Sequence, residues 1–288
     1  MQLQSHRARL AAGDTACGTV RESGASKEIK SMKKMLALPL ILAMIFSMTA
    51  CGEKSSVVTT VENGEEVYIL KMSSTVNEDH LVTKTDRYFI QRVEELSNGR
   101  LKIELYPNNQ LGDPRSMLEA TSMGNLDICD VGLPQYSYYT NALKFFNLPF
   151  LWETRDAAFS FLDTDAGEDI RRQVEEDVGV HILGFQDNGF FGFTSNKLME
   201  TPADVRGFKV RCQESDILLQ IWSDLGASPM PMSFSEVYTA LQQGAIDGQM
   251  NAYITNYNSG YYEVQQYFHK LGLLYDMMVV GISMESYN

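Results

Sequence analysis

Few residues in this 288-residue chain are able to do chemistry, and their spacing excludes more than it supports. The histidines His6, His80, His181 and His269 stand alone, so the paired histidines of a zinc protease are absent. There is no Gly-x-Ser-x-Gly nucleophile elbow and no Gly-x-x-x-x-Gly-Lys phosphate loop. Cysteines occur at 17, 51, 129 and 212 without a Cys-x-x-Cys pair, which disfavours a zinc ribbon or a thioredoxin-like site. No metal or cofactor is implied. An exported hydrolase therefore has no positive support. What remains is Arg211. It ends Phe208-Lys-Val-Arg, a run that reads as a strand, and so sits at a carboxyl edge. A guanidinium there presents a planar fork of donors that matches a carboxylate. Position alone fits a salt-bridged strand-end arginine equally well. Asn77 and His80 follow the first expected strand, Val67–Met72, and could reach the same edge; an isolated histidine serves as readily as a helix cap.

The charge balance gives this one arginine its interest. Positions 1–50 hold 7 basic and 3 acidic residues, which leaves 17 bases against 34 acids in the rest, a net of −17. Such a surface repels nucleic acid and anionic lipid. An anionic small molecule would have to be captured by a local cationic site.

The elements that would position Arg211 form a repeated phrase. Leu101–Tyr106 reads as a strand, followed by a helix from about 115 to 123, Gly124, and the strand Leu126–Val131. Phe208–Cys212 reads likewise, followed by a helix over 216–225, a loop, and a second helix over 234–243. In that second helix Ser233 and Glu236 make a capping box, and Phe234, Val237, Tyr238 and Leu241 form one buried stripe. Gly244 then stops it, and Ile246–Met250 leaves as a strand. Strand–helix–strand runs of this kind predict parallel sheets with crossover helices. Ligands bind beyond the carboxyl ends of such strands, so two lobes face to face make a cleft. Cys129 and Cys212 fall in different lobes, as buried free thiols.

The wording of these segments resembles one family. The run Pro231-Met-Ser-Phe-Ser-Glu-Val-Tyr-Thr-Ala-Leu-Gln-Gln-Gly-Ala-Ile-Asp-Gly-Gln-Met-Asn251 is similar to a block of TRAP-transporter (tripartite ATP-independent periplasmic) solute-binding proteins. Gly99–Pro107, Gln110–Gly112, Gly124–Asp127, Leu148–Phe150, Asn188-Gly189 and Asp204–Arg211 continue the series in order. The resemblance implies an α/β, type II periplasmic-binding-protein-like fold, with two α/β lobes joined by hinge strands and a ligand cleft between them. Lobe I would comprise 67–188 plus 277–288, and lobe II 189–276. Arg211 would hold the carboxylate of an organic acid, Asn251 would contact ligand or water, and Phe234 would pack against the ligand. Phe191 stands where sialic-acid-binding members carry a second arginine, which implies an aromatic wall and a different substrate. Gln135 follows the Leu126–Val131 strand where the family places ligand-selecting residues. The implied partners are the ligand and the membrane permease subunits of an ion-driven transporter; an exported sensor domain would share the cleft and differ in partner. Family members continue for some 80 further residues, so the chain reads as C-terminally truncated.

The N-terminal stretch resembles a lipoprotein signal. Lys33 and Lys34 precede the 14-residue apolar run Met35–Met48 and then Thr49-Ala50-Cys51. A bilayer span needs about 20 residues. Residues 1–31 read as an untranslated or disordered leader, 32–50 as the signal peptide, Cys51 as the lipidation site and 51–66 as a tether. The only membrane contact implied is that anchor.

Overall fold

The computed structural model describes residues 57–62 and 64–288. The expected leader, signal segment and lipidated Cys51 lie outside them. Ten strands are present among the described residues: β1 (Val58–Glu62), β2 (Glu65–Ser74), β3 (Leu101–Tyr106), β4 (Ile128–Gly132), β5 (Val180–Ser195), β6 (Lys209–Cys212), β7 (Ser228–Pro231), β8 (Gly248–Ala252), β9 (Tyr267–His269) and β10 (Tyr275–Ser283). They join into one path, β1-β2-β4-β10-β5-β8-β6-β7, with β3 on β2 and β9 on β5.

Two parallel units lie at the ends of this path. In one, β3 and β4 flank β2; in the other, β7 and β8 flank β6. The crossovers are helices. Leu81–Leu96 links β2 to β3, Pro114–Ser122 links β3 to β4, Asp216–Asp224 links β6 to β7, and Val237–Gln242 links β7 to β8. The middle of the path is antiparallel. β10 pairs β4 on one side and β5 on the other, and the far end of β5 pairs β8. All nine residues of β10 are buried, as suits a central strand covered on both faces.

Packing divides along β5. Phe190 packs against a cluster containing Met117, Val131, Leu143, Val180 and Val279. The next residue, Phe191, belongs to a second cluster with Phe193, Val210, Leu218, Trp222 and Met250. Successive side chains of a strand point to opposite faces, so one step along β5 moves from one core to the other. Cys129 and Cys212 are free, buried, and placed in the first and second cluster respectively.

Three local expectations are corrected. The segment expected as a tether contains β1, which pairs antiparallel with β2 from Val58↔Ile69 to Glu62↔Glu65. Gly64, at φ 87, takes the left-handed backbone that a tight hairpin connection favours. The loop before residue 234 contains β7, whose two prolines are tolerated because it is an edge strand. The capping box at Ser233 and Glu236 does not form. Phe234–Glu236 is a 3-10 turn without a side-chain cap, and the capping box lies instead at Thr201 and Asp204. Gly244 does take the left-handed conformation, at φ 68.

Candidate functional site

The carboxyl ends of β2, β4 and β6 converge on a cavity of about 670 Å³, part of it open to solvent. Thr75, Val76, Asp113, Arg115, Gln135 and Met278 line it from the first unit, and Arg211, Gln213, Glu214, Met232, Phe234, Asn251 and Thr255 from the second. Asn188 on β5 and Asp276 on β10 complete it where the two strands cross.

Arg211 is 2% exposed. Its Nε and Nη2 both donate to the Met232 carbonyl, at 3.0 and 2.9 Å, which clamps one edge of the guanidinium. Its Nη1 is buried with no hydrogen-bond partner, and no ion pair to Arg211 occurs among the described residues. Burial pulls its pKa down, but a guanidinium keeps its proton, so the side chain is a desolvated cation at the cavity wall. A buried charge without a counter-ion is costly unless a ligand supplies one.

The other expected residues separate. Asn251 ends up at the cavity, 3% exposed, with its Oδ1 accepting from the Ala252 N–H at 2.9 Å. Gln135 lines the opposite unit, in the short helix Leu133–Tyr136, and its Oε1 is buried without a partner. Phe234 also lines the cavity. It packs on Val76, Val82 and Met278 of the first unit as well as on the cluster of Val237 and Leu241, so it bridges the two. Phe191 does not line the cavity. It is fully buried in the second core, because its place on β5 points it inward beside Trp222, Val210 and Met250. The expected aromatic wall at that point is therefore absent. Asn77 and His80 do not line it either.

His80 has a different task, and it exposes residues that sequence reasoning missed. Its Nδ1 accepts from the Val82 N–H at 3.2 Å, capping the helix Leu81–Leu96. Burial, with a smaller effect of Lys84, pushes its pKa down to about 4, so the ring is neutral and its proton resides on Nε2. Nε2 then donates to Thr255 Oγ1 at 3.2 Å, the Thr255 hydroxyl donates to Asn188 Oδ1 at 3.1 Å, and Asn188 Nδ2 donates to Asp276 Oδ2 at 2.7 Å. Each link fixes the direction of the next. The relay runs from one unit through the other to the strand crossing, and it ends on a carboxyl at the cavity. Asp276 is 3% exposed, and burial pushes its pKa up to about 7. Sequence reasoning touched this relay only at Asn188, within a family phrase, and at His80, as a residue able to cap a helix.

The family model for bacterial extracellular solute-binding protein, family 7, matches residues 72–288. The chain belongs to that family. This family 7 chain is 34% identical over 229 residues to the C4-dicarboxylate-binding periplasmic protein DctP of Vibrio cholerae, covering 79% of the chain and 67% of that relative. It spans 58% and 62% of the length of two further curated relatives. Among solved structures it resembles a TRAP periplasmic solute-binding protein of Polaromonas bound to D-erythronate, with a TM-score of 0.73, 28% identity, and coverage of 76% and 72% of the two chains. A second, from Sulfurospirillum deleyianum with bound succinate, gives 0.72, 30%, and coverage of 76% and 70%. These neighbours establish the fold as the two-lobed α/β binding-protein architecture, and both are solute-binding proteins.

Proposed function

We propose that this chain is the extracytoplasmic solute-binding receptor of a TRAP transporter, which captures a carboxylate-containing organic acid and delivers it to the membrane permease. One observation carries the reading: Arg211 Nη1 is buried at the cavity wall with no protein counter-ion. A ligand carboxylate supplies that counter-ion, in charge-assisted hydrogen bonds stronger than neutral ones. The ligands bound in those two neighbours, an aldonate and a dicarboxylate, both carry such a group. Asn251 and Gln135 add amides from the two units, and Phe234 packs across them.

Binding needs no bond-making step. Lobe I would comprise 67–188 plus 277–288, and lobe II 189–276. Ligand contacts made to both lobes favour the closed form and shift the population toward it. The docked permease then receives the cargo. Lipid attachment at Cys51 would hold the receptor at the membrane, and a Cys51→Ala chain that stayed in the membrane fraction would exclude that anchor.

The decisive test is a thermal-shift and calorimetric screen of the full chain against keto acids, dicarboxylates, aldonates, uronates and aromatic acids. Saturable binding of at least one class is expected, with none for the matching amides or alcohols. Equal binding of an acid and its amide would remove the basis of the reading.

A further inference from the structure

The cavity is unevenly charged, and the unevenness bears on which acids it takes. Arg211 is its buried cation. The second cation, Arg115, has a side chain 54% exposed and is paired with Glu119 at 3.1 Å. Against these two stand three carboxyls, on Asp113, Glu214 and Asp276. Asp113 is committed to its helix, accepting from the Ser116 N–H and hydroxyl. Asp276 is the one buried in the wall.

The relay from His80 determines what Asp276 can offer. Thr255 donates to Asn188 Oδ1, so the Asn188 amide turns its Nδ2 to Asp276, and the carboxyl is held as an acceptor. Gln135 and Gln213 add side-chain oxygens without partners. Arg211 on β6 and Asp276 on β10 are three strand spacings apart along the sheet path, roughly 14 Å at the backbone, and both line the cavity. A carbon chain with its carboxylate on Arg211 extends across this cavity toward Asp276. A second carboxylate at the far end would meet a like charge in a desolvated wall. Hydroxyl groups there would satisfy the acceptors.

We propose that Asp276 is the specificity-determining residue of this pocket, selecting hydroxylated monocarboxylates over dicarboxylates of equal length. The proposal rests on the receptor reading above and goes further by dividing the acids into those the far wall admits and those it repels.

Protonation supplies an arm that needs no mutation. Burial holds the Asp276 pKa at about 7, so the carboxyl gains a proton as pH falls through neutrality. The charged groups around it are Asp130 from β4, Asp187 from β5, Asp113 and Arg115 from the helix Pro114–Ser122, and Arg211 and Glu214 from the end of β6. Of these, Asp130 also has its pKa raised, by burial first and by Asp86 and Asp276 after that. His80 stays neutral across this range.

The experiment is calorimetry on the full chain with matched pairs of four and six carbons, D-erythronate with succinate and galactonate with adipate. At about pH 8 the wild type should favour the aldonate of the pair it binds by at least ~10-fold, and the preference should shrink toward about pH 6.5. Asp276→Asn, which keeps the shape and removes the charge, should abolish the preference at both pH values. Equal or tighter dicarboxylate binding by the wild type overturns the proposal and leaves the receptor reading intact. An aldonate preference that Asp276→Asn does not alter also overturns it, as does one that does not change with pH in the wild type if the variant fails to fold. Failure of every carboxylate to bind the wild type would instead remove the receptor reading, and this proposal with it.

Discussion

Replacing Arg211 by methionine separates a ligand-binding arginine from a structural one, because the two roles predict opposite patterns of stability and affinity. The substitution fills much of the same volume and removes the charge. In the free protein two effects oppose each other. The Met232 carbonyl loses both of its donors, and a half-buried acceptor left unpaired costs at most about 1–3 kcal/mol. Removing a desolvated cation whose Nη1 has no partner relieves a penalty of about the same size. The net change in unfolding free energy should therefore stay within ~1–2 kcal/mol. A structural ion pair would behave differently, since deleting its cation strands a buried carboxylate at about 3–5 kcal/mol. Affinity should collapse. Loss of a single charged hydrogen bond, about 1.5–3 kcal/mol, weakens Kd by about 10- to 150-fold, and a carboxylate held by two loses more. Urea titration reads the first quantity and isothermal titration the second. A variant destabilised by more than ~3 kcal/mol with its affinity preserved would reassign Arg211 to the scaffold.

Two further outcomes follow from the buried groups. Asp86 is fully buried beside Asp130 and accepts from Gln186 Nε2 at 2.6 Å, and burial pushes its pKa up to about 6. The folded state therefore holds a proton that the unfolded chain has released above its ordinary carboxylate pKa, so this group's contribution to stability is full at low pH and is lost as pH rises through about 6. Asp86→Asn should accordingly stabilise the protein by on the order of 1–3 kcal/mol at about pH 8 and by much less at about pH 4, read from urea midpoints. Gly248 opens β8 against β5, and a Cβ there would overlap the Thr194 carbonyl and the Phe208 ring. Gly248→Ala should lower the melting midpoint by an amount equivalent to about 1–3 kcal/mol or more, and an unchanged midpoint would refute the close approach.

Much of the site was legible because it is local. Arg211 stands near the carboxyl end of a strand, which put it at the right edge, and the family resemblance then gave it the ligand. Gln135 and Asn251 came from the resemblance, and the structure sets each near the carboxyl end of a strand, at the cavity. Phe191 was misplaced because a strand written as Asn188-Gly-Phe-Phe-Gly-Phe193 does not say which of its faces meets the cleft, and a shift of one residue exchanges pocket for core. Ser233 and Glu236 have the spacing of a capping box, but the turn Phe234–Glu236 closes as 3-10 and leaves their side chains unengaged with the backbone. The relay was out of reach for another reason. His80 and Thr255 are 175 residues apart, and Asn188 and Asp276 are 88 apart, so no window of sequence contains a bonded pair.

β5 and β10 run side by side through the waist of the molecule, paired from Val180↔Ser283 to Phe190↔Tyr275, with a register shift between Asp276 and Met277 and Gly189 at φ 95 beside it. Two antiparallel spars of this kind resist sliding, since every ladder bond would have to break at once, but they permit twisting where the ladder is already irregular. Opening would then pivot at the very residues that carry the Asn188–Asp276 hydrogen bond. A solute touching that point would sit on the axis of rotation, where a small displacement is converted into a wide swing of both jaws.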